Sequence, residues 1–304
     1  MSAGKDTHIV VLMGGPSSEA DVSRATAAAC AAALDTAGFT VSTLEAAPTL
    51  AQDLIALSPD VVFNAMHGHY GEDGCVQGVL EWLGLPYTHS GVLASALAMD
   101  KTRSKDVYAR VGIPIVPSVL ISVEDLVGGH PMTPPYVVKP NADGSSVGIY
   151  FVHGEGDRLP NDVASRGQLM MAEQYISGRE LTVTVMGDRP LGVTEITTQG
   201  WYDYAAKYEA GGSQHVIPAD IPQQIEDLAK SYAVLAHDAL GCRGVSRSDF
   251  RWDETHGADG LFILETNTQP GMTATSLAPE QAQHCGISFG ELCTWIVEDA
   301  SCRR

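Results

Sequence analysis

The chain is poor in cations and has no long apolar run. Of its 304 residues only 18 are Lys or Arg, against 37 Asp or Glu, a formal net charge of −19. Lysine occurs six times, at positions 5, 101, 105, 139, 207 and 230. Non-specific nucleic-acid binding depends on many cations that displace counterions from phosphates, so this balance argues against that class. An anionic membrane surface is disfavoured on the same ground. No stretch reaches the ~18 apolar residues of a membrane-spanning helix, and the first apolar run, residues 9–13, is too short for the core of a signal peptide. A cytoplasmic protein is expected. None of the six cysteines forms a Cys-x-x-Cys pair, and no Cys/His cluster has zinc-ligand spacing. They read as small buried hydrophobes in a reducing compartment. The first glycine turn, GGPSSE, lacks the third glycine of a dinucleotide-binding fingerprint.

What is present is an ordinary globular composition, 44% hydrophobic and 18% charged. At ~150 residues per domain the length allows about two domains, or three small lobes around one core. A β-branched run over 8–13 reads as a buried parallel strand. An Ala-rich helix over 21–34 follows, with Ser18 and Asp21 as candidate caps. Strands over 39–44 and 59–65 and a helix over 76–83 continue a β-α-β-α alternation, which predicts a parallel sheet flanked by helices across 1–97. One helix is expected over 93–111, and prolines 131, 134 and 135 mark a linker. Further strands are expected over 136–140, 147–152, 168–175, 181–186, 244–252 and 261–268, with helices over 221–240 and 289–300. Residues 200–218, rich in Tyr and Gly with no clean period, read as a lid or binding loop.

Several motifs carry chemistry. Glu19 sits where a strand gives way to a helix and could take an ammonium group or cap the helix. The loop HGHYGEDG, residues 67–74, lies at the carboxyl end of a predicted parallel strand, where open α/β sheets place ligands, and favours a substrate role for His67. In residues 139–148 the lysine precedes the loop and no helix follows, so this is no Walker A motif. Its backbone N–H groups and the Ser145 and Ser146 hydroxyls can still fold over a triphosphate, with Lys139 as a point charge beside them. Residues 173–176 can offer backbone groups to an adenine edge. Arg247 and Asp249 share one strand face by the period of two, and so do Glu265 and Asn267. Two carboxylates and an amide oxygen suit Mg2+, and like charges on neighbouring strands repel unless neutralised. Arg247 beside them can hold a developing oxyanion, with the amides of residues 270–273 close by if the strands pair.

These blocks in this order (GGPSSEADVS, HGHYGEDGCVQG, SGVLASALAMDKTRSK, VVKPNADGSSVG, WYDYAAKY, GCRGVSRSDF and LETNTQPGMTATSL) resemble the ATP-grasp superfamily and, within it, the D-alanine–D-alanine ligase family, over nearly the whole chain. The resemblance implies an α/β ATP-grasp fold: an N-terminal parallel-sheet lobe (1–97), a small central lobe (98–180) and a C-terminal α+β lobe (181–304) that carries the lid 200–218 and the metal site. It implies ATP between the last two lobes, with Lys101, Lys139, Ser146 and Lys207 at the phosphates, Glu173 and Tyr175 near the base and Glu180 near the ribose. Asp249, Glu265 and Asn267 would bind two Mg2+ (or Mn2+) ions. Glu19, supported by Ser145 and Tyr208, would hold the ammonium of a first D-alanine, with His67 nearby. Arg247 and the Gly271 amide would face the oxyanion, and Ser276 and Leu277 the carboxylate of a second D-alanine. The implied activity is ATP-dependent joining of two D-alanines through an acyl phosphate, releasing ADP and phosphate, for peptidoglycan precursor synthesis. The implied assembly is a homodimer.

The sequence departs from the family pattern at Ala20, Asp21, residues 141–143, Gln269 and Thr275. Gln269 stands where Ser is frequent, and the central lobe is short around 120–135 and 153–170. Two other readings compete. One is a depsipeptide ligase that takes D-lactate, against which Tyr208 argues. The other is a nucleotide-binding regulator without catalysis, against which the full set Arg247, Asp249, Glu265 and Asn267 argues.

Overall fold

The computed structural model describes residues 6–122, 129–144, 148–157, 159, 168–198, 213–273 and 275–303. Three strands form a parallel sheet in the order β2-β1-β3: β1 His8–Met13, β2 Thr40–Glu45 and β3 Val61–Asn64. The central position of β1 explains its unbroken aliphatic run, since Ile9, Val10, Val11 and Leu12 are all fully buried. Helices α1 (Ala20–Thr36), α2 (Leu50–Leu57) and α3 (Cys75–Leu83) connect and flank these strands. The capping expected of Ser18 and Asp21 is not found: the N-cap is Glu19, with no side-chain cap bond. Helix α2 was not foreseen: Leu50, Leu54 and Leu57 stand at helical spacing, but the stretch has only eight residues and only Leu54 is fully buried.

The single helix expected over 93–111 is two helices, α4 (Val92–Met99) and α5 (Lys101–Arg110). Every residue across the junction is compatible with a helix, so periodicity does not show the break. Asp100 makes it. Its backbone is extended (ψ 100°), and its carboxylate accepts the Arg103 N–H at 3.1 Å and the Asn141 side-chain amide at 2.9 Å. The break places Lys101 at the first position of a new helix.

A second sheet has the antiparallel order β4-β7-β5-β6, from β4 Ser118–Ser122, β5 Tyr136–Pro140, β6 Tyr150–Val152 and β7 Leu169–Gln174. Strand β4 was not anticipated, and β6 is shorter than the expected 147–152. A third, also antiparallel, has the order β10-β9-β8-β11-β12: β8 Arg179–Met186, β9 Arg189–Thr198, β10 Ser213–Val216, β11 Val245–Trp252 and β12 Leu261–Asn267. Strand β9 is an addition to the expectation. Strand β10 occupies part of the stretch read as a loop, of which residues 200–212 lie outside the described residues. Helices α6 (Gln223–Leu240), α7 (Leu277–His284) and α8 (Phe289–Glu298) complete the fold. Helix α7 escaped the sequence reading because Pro279 interrupts its pattern, although proline is tolerated in a first helical turn.

The packing joins distant parts of the chain. Ile9, Val11 and Phe63 of the first sheet share one core with Val245, Met272, Ala278 and Ile296. Ala94, Ala98 and Tyr108 of α4 and α5 pack with Leu181, Val183 and Phe250 of the third sheet. The carboxyl ends of β1 and β3 therefore face the loop after β12. Among the described residues no helix is long and apolar enough to cross a membrane.

Asp100→Ala is expected to lower stability by about 1–2 kcal/mol through loss of the cap, while Asp100→Ser retains most of it. Urea unfolding midpoints of the two variants check this.

Candidate active site

Strands β11 and β12 supply the floor of the site. Their register sets Arg247 opposite Asn267 and Asp249 opposite Glu265, so the period-two faces predicted from sequence meet. Arg247 grips Asp249 with two bonds, Nε to Oδ1 at 2.9 Å and Nη2 to Oδ2 at 2.8 Å. The Thr182 hydroxyl donates to the same Oδ1 at 2.6 Å. Across the strand pair, Lys101 Nζ lies 3.4 Å from Glu265 Oε2 and donates to the Asp143 carbonyl at 2.6 Å. Each carboxylate thus has its own cation, which offsets the repulsion that adjacent acids would otherwise cause.

Facing this floor are the loops after β1 and β3. The Glu19 side chain is buried against two glycines. A Cβ at Gly68 (φ +68°) would stand 2.4 Å from Glu19 Oε2, and one at Gly144 would stand 3.0 Å from it. Glycine at position 68 is required both by its backbone conformation and by this close approach. The His67 ring is buried between Thr26 Oγ1 and Glu72 Oε1, each 3.0 Å from a ring nitrogen. Glu72 also accepts the Gly68 N–H at 3.1 Å, so one carboxylate shapes the turn and holds the ring.

The third wall is the loop between β12 and α7. Ser276 is the N-cap of α7, and its hydroxyl accepts the Thr273 N–H at 2.9 Å. A Cβ at Gly271 would meet that hydroxyl at 3.0 Å. The three walls line one open cleft. Of the residues expected from sequence it brings together Glu19, His67, Lys101, Arg247, Glu265, Asn267, Gly271, Ser276 and Leu277. Asp249 is bonded to Arg247 and does not itself line the cleft. Ser145, Ser146, Lys207 and Tyr208 lie outside the described residues.

Lys139, Glu173, Tyr175 and Glu180 do not line this cleft. Glu173, expected near a base, has its carboxylate buried between two lysines: Lys139 Nζ donates to Oε2 at 2.6 Å, and Lys105 Nζ donates to Oε1. Lys105 also donates to the Val116 carbonyl at 2.7 Å. Burial would raise the Glu173 pKa, but the two ammonium groups hold it below the ordinary value. Burial would lower Lys139, but Glu173, Glu265 and Glu180 outweigh it and hold the ammonium above its usual range. For Lys105 burial wins and the pKa falls. Lys139 thus feels acids on both sides, Glu173 within its own sheet and Glu265 on the cleft floor. The Tyr175 ring packs edge-on to Phe151 and lies 5.8 Å from the Arg251 guanidinium, which also sits 3.4 Å from Glu180.

Asp249, Glu265 and Asn267 are hard oxygen donors and fit Mg2+ or Mn2+ better than a soft metal. Among the described residues no group of three or more His, Cys, Asp or Glu is placed to hold a metal. A divalent ion here would depend on the amide oxygen and on phosphate and water oxygens, as is usual for Mg2+. Sequence reasoning missed Lys105 and Glu72. The signal for Lys105 was its spacing, one turn after Lys101 in a chain with six lysines.

Replacing Glu173 leaves two buried ammonium groups without their carboxylate, so Glu173→Gln is expected to destabilise the protein by about 3–5 kcal/mol. The folded-state pKa of Glu173 is depressed, so its contribution is complete above the ordinary value of 4.5 and is lost as pH falls below that and through the folded value. Urea midpoints measured across this acidic window should fall less steeply for Glu173→Gln than for the parent chain.

Comparison with known proteins agrees with this geometry. Residues 107–298 match the D-ala D-ala ligase C-terminus family and residues 45–90 the D-ala D-ala ligase N-terminus family. A curated D-alanine–D-alanine ligase of Cereibacter sphaeroides is 60% identical over 297 residues, covering 98% of this chain and 97% of that protein. A crystal structure of D-alanine–D-alanine ligase from Bacillus anthracis matches with a TM-score of 0.80 at 30% identity, over 96% of this chain and 97% of that one. The Bacillus anthracis ligase complexed with ATP matches with a TM-score of 0.77 at 29% identity, over 97% of this chain and 96% of that one. The chain belongs to the D-alanine–D-alanine ligase family.

Proposed function

We infer that this chain joins two D-alanine molecules into D-alanyl-D-alanine at the expense of ATP, for the synthesis of cell-wall peptidoglycan precursors. The observation that carries the reading is one cleft lined by an acid suited to an ammonium (Glu19), a lysine suited to phosphate (Lys101) and an arginine at the reacting centre (Arg247).

A carboxylate is a poor electrophile until one of its oxygens becomes a leaving group. The first D-alanine, its ammonium held by Glu19, attacks the γ-phosphorus of ATP through a carboxylate oxygen. A new O–P bond forms, the bond from phosphorus to the bridging oxygen breaks, and ADP leaves. Lys101 and Lys139 balance charge on the phosphates, as would Lys207. Two divalent ions, held by Asp249, Glu265 and Asn267, would neutralise the transferring phosphoryl group when bound. The amine of the second D-alanine, having lost a proton, then attacks the carbonyl carbon of the acyl phosphate. Arg247 and the Gly271 N–H take the charge on the tetrahedral oxygen. The C–O bond to phosphate breaks, the departing phosphate takes up the proton that the nitrogen loses, and the peptide bond remains.

The Arg247 guanidinium is suited to this task because its two bonds to Asp249 fix its plane before reaction. The N-terminus of α7, at Ser276 and Leu277, would take the carboxylate of the second D-alanine. Strand β10 takes residues 213–216 out of the lid read over 200–218; residues 200–212 would close over the cleft and exclude water, which otherwise hydrolyses the acyl phosphate. Tyr208 and Ser145 would join Glu19 in a hydrogen-bonded triad. Glu173 and Tyr175 would flank the adenine and Glu180 the ribose, with Ser146 over the phosphates. On this reading the chain divides into lobes 1–97, 98–180 and 181–304, and acts as a cytoplasmic homodimer.

Phosphate release from ATP is expected with D-alanine alone, with dipeptide as the product. Adding D-lactate should yield no depsipeptide, and absence of release with D-alanine would refute the ligase reading. Arg247→Ala should lower kcat by about 10²–10³ while ATP binding, measured by calorimetry, survives.

A further inference from the structure

Two side-chain amides lie buried at the seam between the first sheet and the loop after β12, and none of the steps above uses them. Asn64 ends β3 and is fully buried, and Gln269 is 2% exposed. The Gln269 side chain uses both ends of its amide. Oε1 accepts from Asn64 Nδ2 at 2.6 Å, and Nε2 donates to the Met66 carbonyl. Its backbone N–H donates to Asn267 Oδ1 at 2.9 Å. Asn64 is fixed in turn, since its Oδ1 accepts the Met66 N–H at 3.2 Å and its Nδ2 donates to the Gly71 carbonyl at 3.0 Å. Gln77 holds the same Gly71 carbonyl at 2.8 Å.

These bonds connect parts of the chain about 200 residues apart. On one side, Met66 precedes His67 and Gly71 closes the turn that places Gly68 against Glu19. On the other, Gln269 lies between Asn267 and Gly271. The spacing between the Glu19 wall and the Gly271 wall therefore passes through one amide. We propose that Gln269 is a positioning residue that clamps the Gly271 loop onto the end of β3 and sets the distance between the first-substrate wall and the oxyanion wall. The inference rests on the ligase reading given above.

The side-chain length is what the role needs. Serine at this position keeps the backbone bond to Asn267 but reaches neither Asn64 nor Met66. Glutamate keeps the length and an acceptor for Asn64, yet sets a carboxylate against the Met66 carbonyl. Either change leaves buried polar groups without their partners, so the two walls must shift to satisfy them. Misplacement of a reacting group by about 1 Å can cost about 10²-fold in rate. The nucleotide-side residues Lys105, Lys139 and Glu173 make no bond to Gln269 and should not respond.

The test compares Gln269→Ser, Gln269→Glu, Asn64→Ala and the double variant Asn64→Ala/Gln269→Ser in the full chain. Dipeptide formation is followed with ATP and D-alanine varied separately. Both Gln269 variants should lose about 10- to 100-fold in kcat/KM for D-alanine, with KM for ATP unchanged within about twofold. The double variant should be no worse than about the poorer single variant, because the two residues act as one unit. If Gln269→Ser fails to fold, judged by circular dichroism, the equally sized Gln269→Glu decides. Parent-like D-alanine kinetics in a folded Gln269 variant would overturn the clamp, as would an equal loss in ATP affinity or multiplicative losses in the double variant. A parent chain that forms no dipeptide would overturn the ligase reading, and the clamp with it.

Discussion

Two carboxylates cannot occupy adjacent strands at one register position unless cations balance them, and this constraint organises the cleft. Asp249 and Glu265 are direct cross-strand partners. Arg247 neutralises the first, from two residues along the same strand. Lys101 neutralises the second, and it reaches Glu265 only because Asp100 ends α4 and starts a new helix. A local backbone break thus answers an electrostatic demand made by strands about 150 residues later in the chain. On the proposed reading the same balance prepares the site for substrate. ATP and its metal exchange one set of charge partners for another, and little new charge has to be buried.

The opposite wall is governed by close approach. Glu19 can turn its carboxylate inward because Gly68 and Gly144 carry no side chain there. Glu72 then fixes both the Gly68 turn and the His67 ring. The shared core of β1, β3, β11 and α8 sets the distance between the walls coarsely, and the amide pair of Asn64 and Gln269 sets it locally. Apolar packing is tolerant of small shifts, whereas a doubly used amide is directional. The first gives the cleft its existence and the second its register.

Much of this was legible in the sequence where one principle acts alone. The aliphatic run of β1 announced a buried parallel strand. The period-two placement of Arg247 with Asp249, and of Glu265 with Asn267, announced one charged face, which the strand register confirms. Legibility ended where tertiary context overrides local pattern. The sequence across Asp100 favours helix throughout, and only the contact with Asn141 and the cap on Arg103 show the break. Helix α2 fully buries a single residue, and its eight residues are too few for the spacing of Leu50, Leu54 and Leu57 to stand out. The segment from Glu173 reads in the sequence as a source of backbone groups for an adenine edge, and the burial of the Glu173 side chain gives no local signal. The partners that bury it, Lys105 and Lys139, are 68 and 34 residues away in sequence. Gln269 read as a mere departure from a family pattern, since its partners lie on another sheet.

The cation shortage acquires a physical meaning once the lysines are placed. Lys101, Lys105 and Lys139 are all buried, each against a carboxylate. An ammonium at an exposed site is strongly hydrated and screened by salt within about 8–10 Å. These three are neither fully hydrated nor freely screened, so their fields act at short range: Lys101 lines the cleft, while Lys105 and Lys139 meet at Glu173 outside its lining. The net charge of −19, taken as a whole, does not attract an anionic nucleotide. Recognition of such a ligand must then come from these buried groups and the backbone around them. A chain with few lysines can concentrate positive potential only by burying it, and each buried lysine requires an acid partner to remain charged. Glu173 and Glu265 fill that role for Lys139, whose ammonium they hold above its usual range, so acids that look like excess negative charge in the composition sustain a buried cation.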